Sequence, residues 1–242
     1  LLIGSSVSDN LDSKRNGGLR VYNASINGAA IAELKILVDN VLSRADLQCV
    51  IISLHPILTE RSEKRTNRMV PGEYWGSLGS IDTLDFYRKK LSVKLDKKYD
   101  YFDDYGRYDY NLRKDDRDSE SIIRKKASEM KSGETISIDD RACAMLDDLL
   151  KALRARGTKI FAYYHPIPRD LFILCEESYR SYQERINAFF CPEDFVWDYN
   201  GEEYQNFTSD HANYCDEIHL SRKGIDFLID DINTRLAQQA SI

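Results

Sequence analysis

The fold class follows from residues 29–54, AAIAELKILVDNVLSRADLQCVIISL, in which a helical pattern is followed directly by a strand pattern. In the first part, apolar residues recur every three to four positions, which predicts a helix over about Ala29–Arg44. The second part, Leu47–Leu54, is a short apolar run that predicts a buried strand. Such alternation of helical and strand patterns is typical of βαβ units with a parallel sheet.

The same alternation extends along the rest of the chain. Helical patterns cover Asp139–Arg156, which ends before Gly157, and the residues after Ser221. The predicted strands are Leu1–Ile3, Leu19–Asn23, Leu47–Leu54, Thr158–Tyr164 and Asp194–Asp198. We therefore expect a single α/β domain over residues 1–242, a three-layer α/β/α sandwich with a mostly parallel sheet of about five strands.

Composition and charge narrow the functional classes. The chain has 34 Lys and Arg residues against 40 Asp and Glu, a net charge of −6, which argues against a nucleic-acid protein that depends on bulk positive charge. Hydrophobic residues make up 42% of the chain, enough for a true core. No stretch approaches the roughly 18 to 20 apolar residues of a membrane helix, so we expect a soluble chain. A signal or anchor upstream of this sequence stays open.

The cysteines do not predict a metal site. There are five, with no CxxC pair and no histidine at zinc-ligand spacing: Cys49, Cys143, Cys175, Cys191 and Cys215. We expect no metal and no cofactor, and a pairing of Cys191 with Cys215 stays open.

Residues 59–132 interrupt the α/β alternation. They hold 18 basic and 15 acidic residues, a net charge of +3, whereas the rest of the chain carries −9. Five of the 15 tyrosines cluster here: Tyr99, Tyr101, Tyr105, Tyr108 and Tyr110. We interpret the segment as an inserted cap or lid, partly helical around Thr83–Leu95 and Ser119–Lys131. The alternative is a solvated, charged excursion without a role.

Two motifs at opposite ends of the chain are candidates for chemistry. Gly4-Ser5-Ser6 follows the first predicted strand, at the edge where open α/β sheets bind ligands, and a hydroxyl there is a candidate nucleophile. Asp216 precedes His219 by three residues, ahead of the last predicted helix. At that spacing a carboxylate can orient one ring nitrogen while the other acts as a general base.

Together, these motifs resemble the SGNH (GDSL-like) hydrolase and acyltransferase superfamily. Its first block is a Gly-Asp-Ser-like turn after strand one, and its last block is Asp-x-x-His before the C-terminal helix. The resemblance implies a catalytic triad of Ser6, Asp216 and His219. Ser5 in place of Asp is similar to the Gly-Ser-Ser variant of proteins that resemble alginate O-acetyltransferases of polysaccharide modification.

Residues 21–29, VYNASINGA, resemble the second block of this superfamily, in which a strand ends in Asn and a Gly opens a helix. The resemblance implies an oxyanion hole formed by the backbone N–H groups of Ser6 and Gly28, with Asn27 among the substrate-binding residues. The third block, Gly-x-Asn-Asp, is absent, because residues 50–56 read VIISLHP. A missing donor costs about 3 to 4 kcal/mol in the barrier unless Ser53, His55 or a lid residue replaces it.

Two further histidines and one tryptophan are candidate substrate contacts. His55 follows the third predicted strand and His165 follows the fourth, so both are expected at the rim of the same crevice. For each, the alternative is a turn histidine fixed by neighbouring prolines. Trp75 and the clustered tyrosines suit sugar rings, or they attach the insertion to its own domain. His211, in a polar loop, is expected to be exposed.

These observations favour serine-dependent acyl transfer on an O-acyl carbohydrate or cell-surface polysaccharide, by an O-acetyltransferase or O-acetylesterase. One alternative is a catalytically lapsed carbohydrate-binding module on the same scaffold. Another is a flavodoxin-like nucleotide or phosphate binder, disfavoured by the lack of a Gly-rich phosphate loop with its Lys. The resemblance implies a periplasmic or cell-surface location, and a membrane anchor or acyl-donor partner outside this sequence stays open.

Overall fold

The computed structural model describes residues 1–12, 20–63, 105–108 and 118–240 of the chain. Helices and strands alternate along these ranges as the sequence predicts. The elements are β1 (Leu2–Ile3), α1 (Ile31–Leu42), β2 (Cys49–Leu54), α2 (Ser119–Glu129), α3 (Asp140–Ala155), β3 (Lys159–Tyr164), α4 (Arg169–Asn187), β4 (Phe195–Asp198), α5 (Gln205–Ser209) and α6 (Arg222–Ala240). Short 3-10 helices cover Pro56–Leu58, Glu202–Tyr204 and His211–Asn213.

The sheet contains β1, β2, β3 and β4 in this spatial order, and all neighbouring strands are parallel. The register aligns Ile3 with Ile52, and Ile52 with Ala162. Parallel strands place their carboxyl ends at one edge of the sheet, where α/β folds bind ligands. The residues that follow β1, β2 and β3 therefore lie along one edge.

The prediction of about five strands was too high, because the described residues form four. In the range predicted as Leu19–Asn23, the first residue lies outside the described residues, and Asn23 makes only an isolated parallel bridge with Leu2. The segment still lines the edge of β1: Leu2 N donates to Tyr22 O at 2.9 Å, and Ala24 N donates to Leu2 O at 2.8 Å. A regular ladder does not extend further because β1 itself has only two residues.

Helices cover both faces of the sheet, which confirms the α/β class. Alternate strand residues point to opposite faces. On one face, Ile52 and Ala162 lie in a core cluster with α1, α3 and α4. On the other face, Ile51 and Tyr163 lie in a second cluster with residues of α6.

Most predicted helices are confirmed within a few residues of their predicted ends. α3 begins after Asp139, whose carboxylate accepts hydrogen bonds from Arg141 N at 2.7 Å and Ala142 N at 3.0 Å. The helix expected over Ser119–Lys131 is present as α2. The helix expected over Thr83–Leu95 lies outside the described residues.

The cysteines are all free thiols, so the pairing of Cys191 with Cys215 that the sequence left open is not formed. Cys215 is buried, whereas Cys191 is exposed. In the ranges that the structure describes, no helix is both long enough and apolar enough to cross a membrane.

Candidate active site

Ser6 lies in a loop that follows β1 and covers residues 5–11, which we call the Ser6 loop. Gly4 makes the sharp start of this loop possible: a Cβ atom there would lie 2.2 Å from Ser8 Oγ and 2.8 Å from Ser53 Cβ. The backbone then folds back, as the N–H of Ser8 donates to the carbonyl of Ser5 at 3.2 Å. Ser6 is 8% exposed, so only a small part of the residue is accessible.

Side chains from the segment beside β1 hold the Ser6 loop in place. Asn23 Nδ2 donates to the carbonyls of Ser8 at 2.8 Å and Leu11 at 3.2 Å. Its Oδ1 accepts from Ser25 N at 3.0 Å, and Ser25 Oγ lies 2.9 Å from Ser8 Oγ. Asn23 is buried, and removing a buried donor leaves its acceptors unsatisfied at a cost of about 1 to 3 kcal/mol each. These bonds therefore oppose any shift of the Ser6 loop.

Asp216 and His219 lie in a turn before α6 that covers residues 215–220, which we call the His219 turn. Asp216 Oδ1 accepts hydrogen bonds from the backbone N–H groups of Ile218 at 3.1 Å and His219 at 2.8 Å. This is the usual way in which an Asp side chain forms a turn with residues that follow it. Cys215 N closes the turn by donating to His219 O at 2.8 Å.

The Ser6 loop and the His219 turn meet within hydrogen-bond distance. His219 Nδ1 lies 2.8 and 2.9 Å from the two carboxylate oxygens of Asp216, and His219 Nε2 lies 3.1 Å from Ser6 Oγ. Since an ionised carboxylate only accepts, Nδ1 carries the proton and Nε2 accepts from the Ser6 hydroxyl. An imidazole held in this way can take the proton of the hydroxyl as it attacks a carbonyl carbon.

A second contact joins the two ends of the chain. Asn10 Nδ2 donates to Leu220 O at 3.3 Å, and both residues are buried. This bond ties the Ser6 loop to the residue directly after His219. The distance between Ser6 and His219 is therefore supported by more than their own hydrogen bond.

Asn27 and Gly28 form the turn before α1. The N–H of Ile26 donates to Gly4 O at 3.0 Å, which brings this turn against the start of the Ser6 loop. The N–H of Ala29 donates to Ile26 O at 3.0 Å. Gly28 has a φ of +72°, the left-handed region that glycine adopts without strain, and Asn27 is exposed.

His55 and His165, which were both predicted as substrate contacts, occupy different environments. His55 is partly exposed, and its Nδ1 accepts from Ile57 N at 3.3 Å. His165 is 0% exposed, and its Nε2 lies 2.9 Å from Ile218 O in the His219 turn. Burial, with a smaller contribution from His55, lowers the pKa of His165 to about 3. This ring is therefore neutral near pH 7.

Part of the predicted insertion contacts the Ser6 loop. Trp75 and three of the clustered tyrosines lie outside the described residues, but residues 105–108 are described. Tyr105 O accepts from Asn23 N at 2.8 Å, and Tyr108 N donates to Asp9 O at 2.6 Å. Arg107 Nη1 lies 3.4 Å from Asp12 Oδ2. We call residues 105–108 the docking segment.

Gly106 allows the docking segment to approach this closely. Its φ is +81°, and a Cβ atom there would lie 2.1 Å from the carbonyl oxygen of Asn23 and 2.8 Å from the Tyr22 ring. No side chain fits at this position without displacing the segment.

The buried polar residues that shape the Ser6 loop were not predicted from the sequence. Ser8, Asp9 and Asn10 are at most 3% exposed, although a run of such residues normally indicates an exposed loop. Asn23 was predicted only as the end of a strand. The available signal was the position of this polar run, which begins two residues after the candidate nucleophile.

His211 is the remaining one of the four histidines of the chain. His211 is only partly exposed, and its Nε2 lies 3.2 Å from Asp170 Oδ2, which differs from the exposed position expected for it. Across the described ranges, no group of three or more His, Cys, Asp or Glu side chains is placed to hold a metal ion.

No protein-family model matches the chain, and no curated protein matches it. The function is therefore inferred from the contacts of Ser6, His219 and Asp216 and from the motifs that carry them. Any proposed function has to account for one line of hydrogen bonds that joins the Ser6 hydroxyl, the His219 imidazole and the Asp216 carboxylate.

Proposed function

We propose that the protein is a serine-dependent esterase or O-acyltransferase that acts on an O-acyl carbohydrate or cell-surface polysaccharide through an acyl-enzyme on Ser6. The observation that carries the proposal is the line of hydrogen bonds from Ser6 Oγ to His219 Nε2 at 3.1 Å and from His219 Nδ1 to Asp216 at 2.8 Å. The resemblance of both motifs to SGNH hydrolases and acyltransferases supports the same reading, and with it an extracytoplasmic location.

In the first step, His219 Nε2 takes the proton of Ser6 while Oγ attacks the ester carbonyl carbon. Asp216 stabilises the imidazolium that forms, because its carboxylate accepts from Nδ1. The tetrahedral intermediate then expels the alcohol, which takes the proton from His219. The acyl group stays on Ser6 as an ester.

In the second step, water or a sugar hydroxyl attacks the acyl-enzyme. His219 removes the proton from this nucleophile and returns it to Ser6 Oγ when the ester breaks. Water gives an esterase, and a sugar hydroxyl gives an O-acyltransferase.

The oxyanion of the tetrahedral intermediate needs hydrogen-bond donors, and we assign this role to the backbone N–H groups of Ser6 and Gly28. Besides a lid residue, the candidate substitutes for the absent Asn are Ser53, which is fully buried against Gly4, and His55, which is partly exposed at the same edge. Because His55 Nδ1 accepts from Ile57 N, its Nε2 carries the proton and is a donor. His55 is therefore the better candidate for a third donor.

Exposed aromatic rings near the docking segment favour a carbohydrate. Tyr22 is 52% exposed and Tyr105 is 40% exposed, and Tyr22 lies against Gly106 of the docking segment. Exposed aromatic rings of this kind offer an apolar face with a polar tip, which suits sugar rings. Both residues flank Asn23, which also holds the Ser6 loop.

The test compares Ser6→Ala with Ser5→Ala, because the two serines are neighbours but differ in their contacts. Ser6 Oγ lies 3.1 Å from His219 Nε2, whereas Ser5 Oγ has no hydrogen-bond partner among the described residues. We expect Ser6→Ala to abolish turnover of p-nitrophenyl acetate and fluorophosphonate labelling, and wild-type protein to carry an acetyl adduct on Ser6 by mass spectrometry. Ser5→Ala should retain turnover. Full turnover by Ser6→Ala without an adduct on Ser6 would overturn the proposal.

The assignment of the Gly28 N–H to the oxyanion hole can be tested with Gly157 as a matched control. Gly28 and Gly157 have φ of +72° and +69°, and a Cβ atom at either would meet nothing within 4 Å. Ala at either position costs about 1 kcal/mol of stability through backbone strain alone. Ala keeps the backbone N–H of residue 28, but the strain turns this N–H away from the oxyanion, so we expect only Gly28→Ala to lower kcat as well. Equal kcat values in the two variants would show that the orientation of the Gly28 N–H does not limit the reaction.

The acetyl-enzyme and the active-site variants also distinguish a transferase, an esterase and a carbohydrate-binding module. A neutral oligosaccharide added to the acetyl-enzyme gives acetylated sugar if the protein is a transferase, and free acetate alone if it is an esterase. If instead wild-type protein is not labelled by a fluorophosphonate, and oligosaccharide binding survives both Ser6→Ala and His219→Ala, the chain is a carbohydrate-binding module.

A further inference from the structure

His165 occupies a rigid place at the carboxyl edge of the sheet. Its backbone N–H donates to Leu54 O at 2.9 Å, which continues the pairing of β2 with β3 by one residue. Its carbonyl accepts from Asn200 Nδ2 at 3.0 Å, and Asn200 Oδ1 accepts from Ile167 N at 2.8 Å. The backbone on both sides of the ring is therefore fixed.

The ring has a defined proton position. Nε2 lies 2.9 Å from the carbonyl oxygen of Ile218, which only accepts, so Nε2 carries the proton and donates. Nδ1 is buried and has no hydrogen-bond partner among the residues that the structure describes. The hydrogen bond from Nε2 to Ile218 O is therefore the one by which the His165 side chain is held in the described part of the chain.

That bond acts on one peptide group of the His219 turn. The peptide between Ile218 and His219 presents its oxygen to His165 at 2.9 Å and its N–H to Asp216 Oδ1 at 2.8 Å. Its two polar ends are held by residues from different parts of the fold. The peptide plane cannot rotate without losing one of these bonds, and rotation would turn the His219 side chain away from Ser6.

We propose that His165 is a positioning residue, which fixes the Ile218–His219 peptide and thereby sets the direction in which the His219 imidazole faces Ser6. The inference rests on the function proposed for Ser6. His165 is 0% exposed and acts on His219 through the peptide that it holds.

The charge state of His165 suits this role. Burial is the main cause that lowers its pKa to about 3, and repulsion from His55 and His219 acts in the same direction, while the hydrogen bond to Ile218 O and the charge of Asp216 act in the opposite direction. A neutral ring keeps its hydrogen bond unchanged as His219 gains and loses a proton. A charged ring beside His219 would oppose that protonation.

The test compares His165→Gln with His165→Phe. The Gln amide carries an N–H close to the position of Nε2, whereas Phe keeps a ring but has no donor. We expect His165→Phe to lower kcat for p-nitrophenyl acetate about 10- to 100-fold with little change in KM, as for a small misplacement of a catalytic group. His165→Gln should recover most of the loss.

Tyr164→Phe is the matched control. It is the adjacent residue on β3 and is also buried, and its hydroxyl donates to Asn187 Oδ1 at 2.8 Å on the other face of the sheet. We expect it to lose stability without losing kcat. A loss of kcat in Tyr164→Phe equal to that in His165→Phe, or a His165→Gln variant as slow as His165→Phe, would overturn the inference.

Proton NMR of the His219 ring separates this inference from the proposed function. The Nδ1 proton shared with Asp216 should give a downfield resonance in wild-type protein and in His165→Gln, and a shifted or lost resonance in His165→Phe, whether or not Ser6 turns over. If Ser6→Ala is as active as wild type, the proposed function fails while this measurement still decides on His165. If His165→Phe does not fold, His165→Asn, whose amide is too short to reach Ile218, replaces it.

Discussion

The Ser6 loop and the His219 turn meet at 3.1 Å, but they are held in different ways. The His219 turn is shaped mainly by its own carboxylate, since Asp216 accepts from two backbone N–H groups within the next three residues. The Ser6 loop depends on residues from elsewhere in the chain, above all Asn23. The shape of the turn that carries the base is therefore largely local, with His165 holding it from outside, whereas the loop that carries the nucleophile is placed by contacts with distant residues.

The largest effect is expected from breaking the His219 turn at Asp216. Asp216→Asn keeps an acceptor for the backbone but turns an N–H₂ group towards Nδ1, which favours the wrong tautomer of His219. We expect kcat for p-nitrophenyl acetate to fall about 10⁴-fold, as in serine proteases with this change. The control is Asp210→Asn, which changes a nearby carboxylate that caps a 3-10 helix by accepting from Ala212 N at 3.0 Å. Similar activity in both variants would contradict the triad.

A smaller effect is expected from breaking the Ser6 loop at Asn23. Asn23→Ala leaves the carbonyls of Ser8 and Leu11 without this donor, and we expect it to lower the free energy of unfolding by about 2 to 3 kcal/mol. Displacement of Ser6 should lower kcat about 10- to 100-fold. Urea denaturation and turnover measure the two effects, with the exposed Asn40→Ala in α1 as control. Reduced stability with full kcat would show that Asn23 does not position Ser6.

The burial of His165 beside the His219 turn should be visible as a pH dependence of stability. A pKa of about 3 in the folded state lies below the ordinary value of 6.5, so the unfolded chain binds the extra proton and stability is lost as the pH falls through this range. From pH 7 to pH 5, wild type should lose about 2 kcal/mol relative to His165→Gln. The carboxylates are common to both proteins and cancel. A difference that stays constant with pH would mean that His165 is not kept neutral.

The smallest effect is expected at the docking segment. Gly106 and Gly133 both have a φ of +81°, but only at Gly106 would a Cβ atom meet a backbone oxygen, that of Asn23, at 2.1 Å. We expect Gly106→Ala to be less stable than Gly133→Ala by about 1 kcal/mol, because undocking of the segment limits the cost to one or two hydrogen bonds. Ser6 should also react a few-fold more slowly with a fluorophosphonate in Gly106→Ala. Equal stability and equal fluorophosphonate labelling of Gly106→Ala and Gly133→Ala would show that the docking segment does not support the Ser6 loop.

Parts of the fold were not visible in the sequence. α4 was not predicted, because its buried face contains Tyr179, Tyr182 and Gln183 in place of a simple aliphatic stripe. The segment beside β1 was predicted as a strand, but only isolated pairing forms there. In both places, tertiary packing outweighs the local pattern.

By itself, the sequence determined the α/β alternation and the Asp-x-x-His turn, because both depend on residues within one or two turns of backbone. Only the tertiary structure decided that Ser6 and His219, 213 positions apart, lie within 3.1 Å, and that His165 is buried beneath the turn. Contacts over such separations follow from how the strands align and how the faces pack. No local pattern of residue types encodes them.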